Sequence, residues 1–146
     1  MSTGQNKNLS NASGTIFFSK TYDEAFGLVL EAREYLLGPG RTAVRKLSSE
    51  ASFCYATESL RLTTRLTESM SWLMFQRALI EGEITYEEVQ ADECHLQHQK
   101  TCLPDSESEC DDLLPVGLRS LLVRSESLYR RIWRLDQLAI ESNRTG

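Results

Sequence analysis

The chain predicts an all-α fold: an antiparallel three-helix bundle with a long central helix, and a short extra helix before a long loop. Three observations carry this expectation. From Phe53 to Gly82 the sequence reads FCYATESLRLTTRLTESMSWLMFQRALIEG, with no proline, no internal glycine and a dominance of Leu, Met, Arg, Glu and Ala, which are good helix formers. Two further stretches, 22–37 and 116–142, repeat apolar residues at helical spacing. No segment alternates apolar and polar in the manner of a half-buried strand.

Residues 1–14 are polar apart from one Leu; they bury little and read as a disordered tail. Thr15-Ile16-Phe17-Phe18 is a short apolar plug. Thr21-Tyr22-Asp23-Glu24 has the spacing of a capping box and sets Thr21 as the start of the first helix. Tyr22, Phe26, Val29, Arg33 and Leu36 share one side of it. It stops at Gly38-Pro39-Gly40, where glycine suits the end and proline cannot continue. The second helix takes Ser48 or Ser49 as N-cap and runs to Glu81, with Gly82 as the stop. Its apolar arc, centred on Leu62, Leu66, Met70 and Leu73, covers roughly half the circumference, wider than packing on one neighbour requires. It is therefore the spine. Thr85-Tyr86-Glu87-Glu88 is a second capping box opening a short helix. Residues 93–114 form a mobile loop, long for a compact domain. Pro115 suits the first turn of a third helix over 116–142, whose apolar arc includes Leu118, Leu122, Tyr129, Ile132 and Leu135. Residues 143–146 fray, leaving one bundle domain at 15–142.

At 146 residues, the chain is long enough to bury a core without metal or disulfide. A net charge of −5 argues against a nucleic-acid module, which presents a basic face. No apolar run approaches a membrane span and no signal peptide opens the chain, so the cytoplasm is expected. Four cysteines in a chain of this type read as free thiols, with Cys54 a small packed hydrophobe.

The second helix spans roughly 50 Å at about 1.5 Å per residue, about twice the length of the first. Its last turns are apolar almost all round. Trp72, Phe75 and Leu79 are thus the candidate homodimer interface, unless the plug or the loop after Gly82 folds over them. Glu58, Arg61 and Arg65 form an i, i+3, i+4 ladder, which is a solvated face or a partner-docking patch. Arg77 and Asp136 interrupt apolar arcs. Arg77 pairs with Glu81 one turn on or with another helix, and Asp136 pairs with the Arg61–Arg65 region. Cys94, His95, His98, Cys102 and Cys110 supply zinc-ligand atoms but in no strong ligand spacing. The alternative reading of the chain is a zinc- or redox-responsive helical regulatory protein built on Cys94, His98, Cys102 and Cys110. No catalytic, cofactor-binding or metal residues are assigned.

The run Tyr55-Ala56-Thr57-Glu58-Ser59-Leu60-Arg61-Leu62-Thr63-Thr64-Arg65-Leu66, followed by Ser71-Trp72-Leu73, Gln76-Arg77-Ala78 and Glu81-Gly82-Glu83, resembles the core signature of a bacterial family. That family is the regulator of CtrA degradation, RcdA. Ser125-Glu126-Ser127-Leu128-Tyr129-Arg130-Arg131 resembles its C-terminal block. The resemblance implies a dimeric three-helix bundle without enzymatic activity. It implies an adaptor that brings cargo, including cell-cycle regulators, to the ClpXP protease together with a response-regulator-like partner.

Overall fold

The computed structural model describes the backbone of residues 3–104 and 110–145, with the side chains of 14, 17–104 and 110–144. Three long helices make the body: α1 Thr3–Leu37, α3 Ser49–Ile80 and α6 Val116–Thr145. Each touches the other two. Short helices α2 Pro39–Val44, α4 Tyr86–Val89 and α5 Gln99–Cys102 lie between them, with 3-10 turns at Asp92–Cys94 and Asp111–Leu113. Among the described residues there is no strand. None of the described helices is long and apolar enough to cross a membrane.

Local chemistry fixes most boundaries. Pro39 opens α2 directly after the break at Gly38. Ser48 is the N-cap of α3, its Oγ accepting from the Ala51 N–H at 3.2 Å. Gly82 takes the left-handed conformation (φ 75°), so that the Glu83 N–H donates to the Ala78 carbonyl and closes α3. Thr85 caps α4, accepting from the Glu88 N–H at 3.1 Å. Pro115 precedes α6, as expected.

The start of the first helix is corrected. α1 begins at Thr3, so Thr21 lies inside it, 4% exposed, its hydroxyl donating to the Phe17 carbonyl at 2.9 Å. A Thr-x-x-Glu spacing is also an ordinary one-turn spacing within a helix, so it marks a start only when the preceding residues are not helical. The backbone of 3–14, expected as a disordered tail, is helical; residues 1 and 2 lie outside the description. Of the plug, Phe18 packs against the core and Phe17 is half exposed, while the Ile16 side chain lies outside the described residues. α6 runs to Thr145, past the expected fraying point at 143.

The direction of the third long helix is a second correction. α1 and α3 are antiparallel, with Tyr22 beside Arg77 and the Tyr35 end near Tyr55. α6 runs parallel to α3, because Arg65 reaches Leu122 and Trp72 reaches Asp136. α1 is therefore antiparallel to both other long helices, α6 included, since Arg124 meets Glu31 and Arg131 meets Glu24; α3 and α6, expected antiparallel, run parallel. The chain returns from the end of α3 to its beginning before α6 starts, and residues 82–115 make that return. The core is formed by Ala25, Leu28 and Ala32 of α1, Leu62, Leu66 and Leu73 of α3, and Leu118, Leu121, Leu128, Tyr129 and Ile132 of α6.

Candidate functional site

A polar stripe along α3 organises the return segment. Cys54, Glu58, Arg61, Arg65, Glu68 and Trp72 follow one another at spacings of three and four, so they share one face of the helix. The return segment runs along this face as a strap, from Gln97 beside Glu68 to Cys110 at Cys54, so its later residues lie toward the start of α3. The Gln97 N–H donates to Glu68 Oε2 at 2.9 Å. Arg61 Nε donates to the Thr101 carbonyl at 3.0 Å and Arg65 Nε to the Cys102 carbonyl at 2.7 Å. Cys54 is joined to Cys110 by a disulfide, Cα–Cα 5.6 Å.

The two arginines therefore satisfy carbonyls at the end of α5, where no intrahelical donor is available. Arg65 is 5% exposed and also donates to the Leu122 carbonyl of α6 at 3.2 Å, linking three elements. Burial pushes its guanidinium below the ordinary value, while the nearby Glu126 opposes that shift. Glu58 is 4% exposed and pairs with Arg61. The ladder expected as a solvated face or docking patch is thus turned inward under the strap.

At the other end of the strap, Asp136 of α6 is fully buried. Its Oδ1 accepts from Trp72 Nε1 at 3.0 Å and meets His95 Nδ1 at 2.7 Å; its Oδ2 accepts from the Leu96 N–H at 3.0 Å. The other ring nitrogen of His95 faces the Gln90 carbonyl at 3.1 Å. Both ring nitrogens thus face oxygen atoms, one from α6 and one from the residue after α4. Asp136 was expected to pair with the Arg61–Arg65 region. The parallel course of α6 places it beside Trp72 instead.

Trp72, expected on an uncovered dimer surface, is 8% exposed because the strap covers it. Phe75 and Leu79 are half-buried. Arg77 pairs with Glu81 at 3.1 Å and lies over the Tyr22 ring. The expectation of free thiols holds for Cys94 and Cys102 only. Both are buried, and burial raises both thiols above their ordinary value. Tyr129, fully buried beside Cys102, is raised too, chiefly by burial.

Cys94, His98, Cys102 and Cys110 are not brought together: Cys110 bonds Cys54, and the Cys94 thiol donates to the Glu88 carbonyl at 3.5 Å. Among the described residues no group of three or more His, Cys, Asp or Glu is placed to hold a metal. The loop expected to be mobile is packed where it is described, with Leu96, Cys102 and Leu114 in the core; residues 105–109 lie outside the description. Periodicity gave no sign of His95, Leu96, Gln97 or Thr101. The usable signal was the continuation of the ladder from Arg65 through Glu68 to Trp72, since a polar stripe ending on a large aromatic is covered by something.

A family model described as "Protein of unknown function (DUF1465)" matches residues 10–145. Among solved structures, the crystal structure of RcdA from Caulobacter crescentus CB15 is similar to this chain, at 42% identity and a TM-score of 0.67. The match covers 84% of this chain and 89% of that one. No curated protein matches.

Proposed function

The chain belongs to the family of proteins of unknown function DUF1465, and from that premise we propose that it is a non-enzymatic, RcdA-like protease adaptor. In this reading it works in the cytoplasm. It delivers selected regulatory proteins, cell-cycle regulators among them, to ClpXP together with a response-regulator-like partner. The carrying observation is the 42% identity with RcdA over most of both chains. The Glu58–Arg65 stripe is occupied by the strap, so docking belongs on other surfaces. The test adds purified protein to ClpXP and the response-regulator-like partner and follows loss of candidate cargo over time. Faster loss of specific cargo supports delivery; cargo lost at one rate with and without the protein removes it.

We also propose that the chain pairs with a second copy, through a surface other than Trp72. The side of α3 facing away from the bundle carries Phe53, Ala56, Leu60, Thr67, Ser71 and Met74, all exposed, and no charge between them. Phe53 is 75%, Leu60 64% and Met74 59% exposed. Phe26, Leu30 and Leu37 of α1 are exposed as well. Two helices about 10 Å apart over about 30 Å offer roughly 600 Å², close to the roughly 800 Å² per partner of a standard interface. The uncharged α3 part of this surface suits a copy of itself, because a two-fold axis sets it against another uncharged strip; on α1 the exposed Arg33 lies between Leu30 and Leu37. Leu60→Glu should lower the sedimentation mass to that of one chain. A wild-type monomer at micromolar concentration would remove the second copy.

A further inference from the structure

We propose that Cys54 and Cys110 form a thiol–disulfide exchange site, at which a dithiol opens the bond and releases the turn before α6 from α3. The proposal goes beyond the adaptor reading and does not depend on it. Cys54 is buried on α3, while Cys110 is half-buried and so is the sulfur an incoming thiolate reaches. The two remaining thiols do not compete. Cys94 and Cys102 are buried, and burial holds both in the protonated, unreactive form. Exchange is therefore confined to one pair.

The bond anchors a particular stretch. Residues 95–102 of the strap are fastened without it, by Asp136, Glu68, Arg61 and Arg65. Cys110 leads directly into the turn Asp111–Leu113. Leu113, Leu114 and Pro115 form one wall of a groove of about 560 Å³, whose other wall is Pro39, Thr42 and Leu47 of the α2 region. Opening the disulfide frees that wall at its upstream end while the three long helices keep their mutual packing. A domain of this length does not need a disulfide to fold, so the bond is suited to being broken and remade.

The chemistry balances with a dithiol as reductant. One thiolate of the dithiol attacks Sγ of Cys110, forming a mixed disulfide and breaking the Cys110–Cys54 bond. Cys54 leaves with the electron pair and takes up a proton. The second thiol of the reductant then closes onto the first, forming the reductant's own disulfide, and Cys110 leaves and is protonated. Two electrons and two protons pass from dithiol to protein.

The test uses the full chain, oxidised or equilibrated with dithiothreitol, followed by amide hydrogen exchange with mass detection. Reduction should speed exchange in peptides covering 110–115 by about tenfold or more, with α1 and α6 changed less than about twofold. With oxidised glutathione, Cys54→Ser should gain a glutathione adduct at Cys110 at least about tenfold faster than Cys110→Ser gains one at Cys54. A protein that stays a free dithiol under oxidised glutathione overturns the proposal. So does reduction that leaves 110–115 unchanged, or that speeds exchange equally everywhere, since the bond would then be a global staple. The comparison of oxidised and reduced wild type stands even where a serine variant does not fold.

Discussion

At the scale of single residues, the buried carboxylate of Asp136 decides the most. It accepts from Trp72 and Leu96 and meets His95, each on a different stretch of chain from α6. Asp136→Ala strands those groups in the interior and should destabilise the protein by about 3–5 kcal/mol, read as a fall in denaturation midpoint. Trp72→Phe keeps the other two contacts and should cost about 1–2 kcal/mol. Equal losses in the two variants would show that Asp136 does not join three elements. On the surface, Arg124 hydrogen-bonds Glu31 and holds its carboxyl below the usual carboxylate value, with partial burial opposing. A lowered folded-state value contributes stability that is present above the unfolded value and lost as pH falls through the folded one. Both side chains are roughly half exposed, so screening limits this to about 0.5 kcal/mol. Glu31→Gln should lower stability by that amount at pH 7 and not at all at a pH where Glu31 is already protonated, checked by urea melts at both. That Asp136 is out of place in an apolar arc is legible in the sequence. Its partners are not, because they meet only after the strap has been laid.

Among the elements, stops and starts that depend on one residue's own backbone were legible. Ser48, Gly82, Thr85 and Pro115 all do what their chemistry requires. Thr21 misled because its hydroxyl bonds a carbonyl one turn back, which the letters Thr-x-x-Glu do not distinguish from a cap. Two glycines separate backbone from packing effects. A side chain at Gly82 meets nothing within 4 Å, so Gly82→Ala is opposed only by the left-handed backbone and should cost about 1 kcal/mol. A Cβ at Gly117 would run into the Tyr35 ring, so Gly117→Ala forces either the ring or the start of α6 to move, at about 1–3 kcal/mol. Thermal melts should therefore rank Gly117→Ala as the more damaging. The reverse order would mean that Tyr35 yields freely and does not hold the start of α6.

For the whole molecule, periodicity showed how many long helices there are, and that expectation stands in the all-α architecture; of the apolar arc on α3, Leu62, Leu66 and Leu73 are buried while Phe53, Leu60 and Met74 are exposed. Periodicity carried no information on the direction of α6. A connection running from Glu81 to Pro115 is long enough to start the last helix at either end of the spine. The observed course, parallel to α3, requires the strap to travel the length of α3, and that journey buries the Glu58–Arg65 ladder and Trp72 together. Stability nevertheless rests on the contacts of α1, α3 and α6, whose inward residues form one core cluster, and not on the covalent link. Burial of an apolar core in a domain of this size outweighs what closing one loop contributes, about 4 kcal/mol at most in the chain-entropy description. Far-UV circular dichroism with chelator and reductant present should therefore retain nearly all of the helical signal of the oxidised protein, with the melting midpoint lowered. Loss of most helicity under those conditions would mean that the Cys54–Cys110 bond holds the bundle itself together. The long helices would then depend on the strap, rather than serving as the rigid body to which the strap is fastened.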